Sequence, residues 1–342
     1  MKACVFDECL PPYTSDTDPM ISDLSVDREM LKERHLYLYH LRRSAFMEPE
    51  FGYVIAEPWS LINLSLPGSE LVRQRETMPL FSGVPSVSKL FAAKKRGSPV
   101  RKESVVVSFR FVFDYNYYHF YCDIMNRLKI IDDYGIDKSV PLVVSPVLAS
   151  QKFFQRMSER GDLANRNWLV QDGFHIQAEE IIFLKPDPCS RAQIDYFLEC
   201  GDIPTADISK NRRIFLNRGV KDGRNIANIA ELTPVLRSYD FEVIDAANMT
   251  FDEQRELFSQ TGFLIAIHGA GLVNFVFRRS GPLKVLEIFP PSETPLMFYE
   301  LSRIYGFDYQ CVRGKDAVTG QRRSPFYLDP ALLKEQLVVM FQ

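Results

Sequence analysis

The sequence contains no Cys-x-x-C pair; its six cysteines (Cys4, Cys9, Cys122, Cys189, Cys200 and Cys311) are scattered. That spacing argues against a zinc site and for reduced, mostly buried thiols. No apolar run approaches the roughly 20 residues that span a bilayer. The opening Met1-Lys-Ala-Cys-Val-Phe-Asp-Glu8 lacks the charged head and long apolar body of a signal peptide. A dominant charge is missing as well: 41 basic and 44 acidic side chains give a net charge of −3 with no basic stripe. Nucleic acid is therefore not an expected partner. Neither a Gly-x-Ser-x-Gly nor a Walker pattern occurs. These absences leave a cytosolic globular protein, with room for a peripheral seat on the inner face of a membrane.

What is present fits that class. A length of 342 residues exceeds one typical core, and a 46% hydrophobic share is ordinary for a globular chain. Two domains are expected. Residues 1–34 read as an irregular arm, and Asp16-Thr-Asp18 inside it reads as a solvated turn rather than a metal-holding pair. Strands are expected within 36–39 and 52–56, and 67–103 reads as a connection with a small basic cluster at Lys94, Lys95 and Arg96. From residue 104 strands and helices alternate: strands at 104–108, 141–144, 167–170 and 181–183, helices at 116–134, 149–160 and 192–200. A linker is expected over 201–210. Strands at 213–216, 241–244, 263–267, 284–289 and 307–312 then alternate with helices at 226–238, 251–260, 272–277, 295–305 and 329–341. Alternation of this kind predicts parallel sheets with covered faces, in two successive doubly wound domains. The expected division is 1–103 with 104–205 on the acceptor side, 206–320 as the donor-binding domain, and 321–342 as a terminal helix.

Within the second half, Phe263-Leu-Ile-Ala-Ile-His-Gly-Ala-Gly-Leu-Val-Asn274 stands out. Five apolar residues in a row predict a buried strand, and it stops at His268-Gly-Ala-Gly271. The glycines permit a tight turn and a close backbone approach, and a helix beginning there turns its positive end to the same spot. A phosphorylated ligand is expected beside His268. Three readings compete: a dinucleotide fingerprint without its third glycine, an esterase oxyanion loop without its nucleophile, or a cradle for the diphosphate of a nucleotide-sugar. In the third reading Glu287, on the next strand, accepts from ribose hydroxyls. Arg218 and Arg224 follow the first strand of the same domain, where guanidinium forks suit phosphate oxygens.

In the first half, Asn116-Tyr-Tyr-His-Phe-Tyr-Cys-Asp123 opens a helix just past a strand. His119 and Asp123 are four residues apart and so share a helical face, where either could take a proton from a hydroxyl. The alternative is an acidic residue that merely complements the helix dipole.

Taken in order, four blocks resemble the family 61 glycosyltransferases, which include bacterial capsule-type members and eukaryotic xylosyl- and N-acetylglucosaminyltransferases. The blocks are Asn116–Asp123; Ile214-Phe-Leu-Asn-Arg218 with Arg224-Asn-Ile226; Met249-Thr-Phe-Asp-Glu-Gln254; and Phe263–Phe277 with Val285-Leu-Glu-Ile288. Asn217 and Ile229 depart from the family's usual serine and acidic residue. The resemblance spans roughly 104–290. It implies a GT-B architecture of two Rossmann-like domains with a cleft between them, and inverting transfer from a nucleotide-sugar, expected to be a UDP-sugar, to a glycan hydroxyl. Surface or capsular polysaccharide synthesis is the implied setting, with no metal and no cofactor beyond the donor. It further implies that Arg218, Arg224 and His268 hold the diphosphate, that Gly269, Ala270 and Gly271 approach it through backbone, that Asn274 supports the loop, that Glu287 holds ribose, and that His119 and Asp123 serve the acceptor. A non-catalytic nucleotide-sugar or glycan binder on the same fold is the competing expectation.

Overall fold

A computed structural model describes residues 2–6, 36–56, 60–62, 99–185, 189–219, 223–291, 295–316 and 324–342. Asp16-Thr-Asp18 and the basic cluster at 94–96 lie outside the described residues. The chain divides into two compact units, one built on Glu33–Ile203 and the other on Pro204–Gln342.

The first unit holds β1 (Lys2–Phe6), β2 (Leu36–Met47), β3 (Val54–Ala56), β4 (Ser60–Ile62), β5 (Val100–Ser108), β6 (Leu142–Val144), β7 (Trp168–Val170) and β8 (His175–Lys185). They form one sheet in the order β4-β3-β2-β8-β5-β6-β7, with β1 added against β2. β8, β5, β6 and β7 run parallel, while β2 lies antiparallel to β8, β1 and β3. The sheet is therefore mixed, not purely parallel as the alternation predicts. The 12-residue β2 and the 11-residue β8 also exceed the short strands expected there. Val106, Val107, Val143 and Ile181 are fully buried, which explains why the central strands read as unbroken apolar runs. Chain reversal takes place between β5 and β8: the path leaves β5 toward β6 and β7, then returns to β5's other side.

The second unit is a five-stranded, all-parallel sheet: β9 (Arg212–Asn217), β10 (Glu242–Asp245), β11 (Thr261–Ile267), β12 (Lys284–Phe289) and β13 (Asp308–Arg313), in the order β10-β9-β11-β12-β13. Its helices start and stop where local chemistry directs. Thr250 and Glu253 form a reciprocal capping box at the head of the Phe251–Ser259 helix, as the sequence predicts. Gly306, at φ 71°, ends the Met297–Tyr305 helix in the left-handed region that glycine tolerates best. Phe215, Ile265, Leu286 and Ile288 from the sheet meet Leu333, Leu337 and Met340 of the Pro330–Met340 helix in one core. Arg278 is fully buried and satisfied, donating to the carbonyls of Pro282, Asp207 and Ser259 and to Asn211 Oδ1. Both units are thus mixed α/β with parallel strands at their centres.

Candidate functional site

In a doubly wound sheet of this strand order, a crevice opens at the carboxyl ends of the two strands flanking the point where the winding reverses. In the second unit those strands are β9 and β11. Arg218 directly follows β9 and His268 directly follows β11. The two meet: Arg218 Nη1 donates to the His268 carbonyl at 2.9 Å. Gly269 makes that approach possible, since a Cβ there would lie 2.1 Å from Arg218 Nη1. The Ala270–Arg278 segment then runs as a 3₁₀ helix, longer than the short helix expected over 272–277. Its leading N–H groups still lack intrahelical partners, which suits an anion. Arg224 is half-buried in the loop that continues from Arg218.

The His268 side chain is held on several sides. Its ring lies nearly parallel to that of Phe289 at 5.5 Å and meets Phe298 at 5.6 Å. Nδ1 contacts Glu287 Oε1 at 2.6 Å, and the Tyr309 hydroxyl donates to Glu287 Oε2. A carboxylate at Nδ1 makes that nitrogen the donor and leaves Nε2 for a ligand or a proton. Glu287 is completely buried, which is tolerable because both its oxygens accept hydrogen bonds. The sequence expectation placed Glu287 on ribose; here its carboxylate is committed to His268 and Tyr309, because it sits within β12 rather than at the strand's exposed end. Burial and the adjacent carboxylate push the Tyr309 phenol well above its ordinary range, so it remains a donor. Tyr309 was not singled out from sequence: nothing in β13's pattern separates it from an ordinary strand aromatic.

Beneath the loop, fully buried Asn274 donates to Gln254 Oε1 at 2.8 Å. Gln254 Nε2 in turn donates to the carbonyls of Ala246 and Met249 at 3.0 and 3.1 Å. The Met249–Gln254 block is thus a brace for the 268–274 loop, a role its sequence did not reveal.

In the first unit the second constellation lies just past β5, one of the two strands flanking the reversal there. Asn116 Oδ1 accepts from the Tyr118 N–H and caps the start of a helix. That helix is α over Tyr117–His119, π over Phe120–Met125 and α again over Arg127–Asp133. The wide π turn, a geometry often found at functional sites, carries Asp123 while His119 precedes it. His119 Nδ1 and Asp123 Oδ2 meet at 2.7 Å, with side-chain exposures of 18% and 26%. The spacing of four brings the two together, as the shared face predicts. Phe111 and Phe113 pack the imidazole at 5.2 and 5.4 Å, and Tyr118 meets its edge at 5.4 Å. Cys189 lies close enough to feel Asp123, and burial pushes its thiol well up. Among the described residues, no cluster of three or more His, Cys, Asp or Glu could hold a metal ion.

The two units thus each place a polar constellation past a strand end: one partly exposed histidine–carboxylate pair, and one loop that joins Arg218 to His268. The family model described as Glycosyltransferase 61 matches residues 117–285, and the chain belongs to that family. The matched span takes in His119, Asp123, Arg218, Arg224, His268–Gly271 and Asn274, and ends just before Glu287. No protein in a curated collection matches the chain. Family membership makes sugar transfer the coarse activity. Among the described residues no helix is long and apolar enough to cross a membrane.

Proposed function

We propose that the chain transfers a sugar from a nucleotide-sugar, a UDP-sugar by expectation, to a glycan hydroxyl, with inversion and without metal. The observation that carries this reading is the 2.7 Å contact of His119 Nδ1 with Asp123 in a partly exposed position past a strand end. Asp123 accepts the Nδ1 proton and fixes the tautomer, so Nε2 of His119 is the base. Nε2 removes the proton of the acceptor hydroxyl as its oxygen attacks the anomeric carbon. The bond from that carbon to the phosphate oxygen breaks on the opposite face, and its electron pair leaves with the nucleoside diphosphate. Arg218, Arg224, His268 and the backbone of Gly269–Gly271 stabilise the departing charge, each well-placed donor contributing a few kcal/mol. In this reading Glu287 orients His268 rather than binding ribose. The two units act as the halves of a GT-B enzyme, working on the cytoplasmic face of a membrane in surface-polysaccharide synthesis.

A thermal-shift panel of nucleotide-sugars, followed by product analysis, tests the reading. One donor should stabilise the protein and be slowly hydrolysed or transferred. A donor that binds but is never turned over with any glycan makes the chain a binding protein. A flat response to the entire panel sinks both.

A further inference from the structure

Among the described residues the first unit leaves four large hydrophobic side chains exposed: Val100, Tyr115, Val147 and Val170. Val100 opens β5 at its amino end, whereas the other three lie at the opposite end of the sheet. Tyr115 comes just past β5, Val147 just past β6, and Val170 closes β7. These strands are parallel neighbours, so the three side chains share the carboxyl end that also carries His119 and Asp123. Surface hydrophobics scattered singly need no explanation, but three at the end where parallel sheets bind ligands do.

Tyr115 is the most exposed of the three, at 53%, and its neighbours hold it there. The Asn116 N–H donates to the Phe113 carbonyl at 2.9 Å, closing a turn with Asp114 and Tyr115 at its centre. Asp114 points inward: it is 7% exposed, lies beside the Ser145 hydroxyl and faces the Arg110 guanidinium. Phe111 and Phe113 of the same stretch are buried as well. With these residues anchored, Tyr115 is held outward, its ring meeting Phe113 at 6.4 Å and near a right angle. Phe113 in turn lies stacked on His119 at 5.4 Å. The exposed ring therefore stands one aromatic side chain away from the imidazole. A pyranose with equatorial hydroxyls presents polarised C–H groups on each face, and those pack on the negative face of an aromatic ring. We propose that Tyr115 is a platform for the acceptor, on which the sugar bearing the reactive hydroxyl or its immediate neighbour rests, and that the acceptor is a glycan of equatorially substituted pyranosides. One ring and two valines are too small a surface for a stable protein partner, which covers about 800 Å² on each side. They match a saccharide.

This inference rests on the proposed acceptor role of His119, and its test reads binding rather than transfer, so the two can fail separately. In full-length protein carrying ring-fluorinated tyrosine, the Tyr115 signal is assigned by its loss in Tyr115→Phe. Methyl β-glucopyranoside and cellobiose should move that signal, whereas glucitol, an open-chain polyol without a ring face, should not. Tyr115→Ala should weaken the same binding about 3- to 10-fold, read from magnetisation transferred to the saccharide, and Tyr115→Phe should keep it. A Tyr115 signal that no saccharide moves, or an Ala variant that binds as the wild type does, overturns the proposal even where a donor is turned over. A signal that moves with protein concentration alone assigns the surface to a second copy of the chain and likewise overturns it. Saccharide binding at Tyr115 in a protein that turns over no nucleotide-sugar keeps the platform and makes the chain a glycan-binding protein.

Discussion

Each unit carries one histidine bonded through Nδ1 to a carboxylate, and the two pairs are opposites in almost everything else. His119 and Asp123 come from one helix, four residues apart, and both retain solvent exposure. His268 and Glu287 come from the end of one strand and the middle of the next, and the carboxylate is completely buried and shared with Tyr309. Exposure decides what a pair can do. A partly open imidazole can meet an incoming hydroxyl and exchange protons with it. A histidine locked between two rings and a buried acid, its own carbonyl holding an arginine, is a fixed element of its loop.

The sharpest way to break this contrast is His119→Ala. It should cut transfer by about 10²–10⁴-fold while calorimetric affinity for the nucleotide stays unchanged; equal losses in both would erase the distinction. Next comes stability. Glu287→Ala strands two buried polar partners and should cost about 2–4 kcal/mol in urea unfolding, whereas Asp123→Ala should cost under about 1 kcal/mol. Comparable costs would mean that Asp123 is as structural as Glu287. Arg218→Ala should weaken nucleoside-diphosphate binding by about 10–100-fold, as expected for a lost charge-assisted contact; unchanged affinity removes Arg218 from the diphosphate. The smallest effect belongs to Gly269→Ala. The added methyl collides with Arg218 Nη1, a flexible tip that can swing aside, so binding should weaken by about tenfold or less with little change in melting temperature. A large fall in melting temperature instead would show that the loop, not the arginine, yields.

Much of the second unit was legible because β11 and β12 are buried along most of their length and the Phe251–Ser259 helix carries its own capping signal. Thr250 and Glu253 announce a helix start, and Phe263–Ile267 announces a buried strand, without help from the rest of the chain. The first unit was less so. Whether a strand runs parallel or antiparallel leaves no mark on period-two alternation, so the reversed β2 beside β8 could not be read from residues 36–47. The site shows the same division. His119 and Asp123 were visible because helical spacing is a local quantity. The partners of Glu287 were hidden because Tyr309 reaches it across β12 and β13, a pairing the sequence does not spell out.

The Pro330–Met340 helix has a consequence for how the protein is made. Leu333, Leu337 and Met340 complete the second unit's core, Lys284 Nζ donates to the Met340 carbonyl, and Phe341 stacks on Phe263 at 4.7 Å. The first unit needs nothing beyond residue 203 to close its sheet. During synthesis it can therefore fold while the second unit is still emerging from the ribosome. The second unit must wait, its core incomplete, until residue 341 has cleared the exit tunnel. A premature stop or a proteolytic nick within the Pro330–Met340 helix would release a chain whose first sheet is closed and whose second core lacks Leu333, Leu337 and Met340.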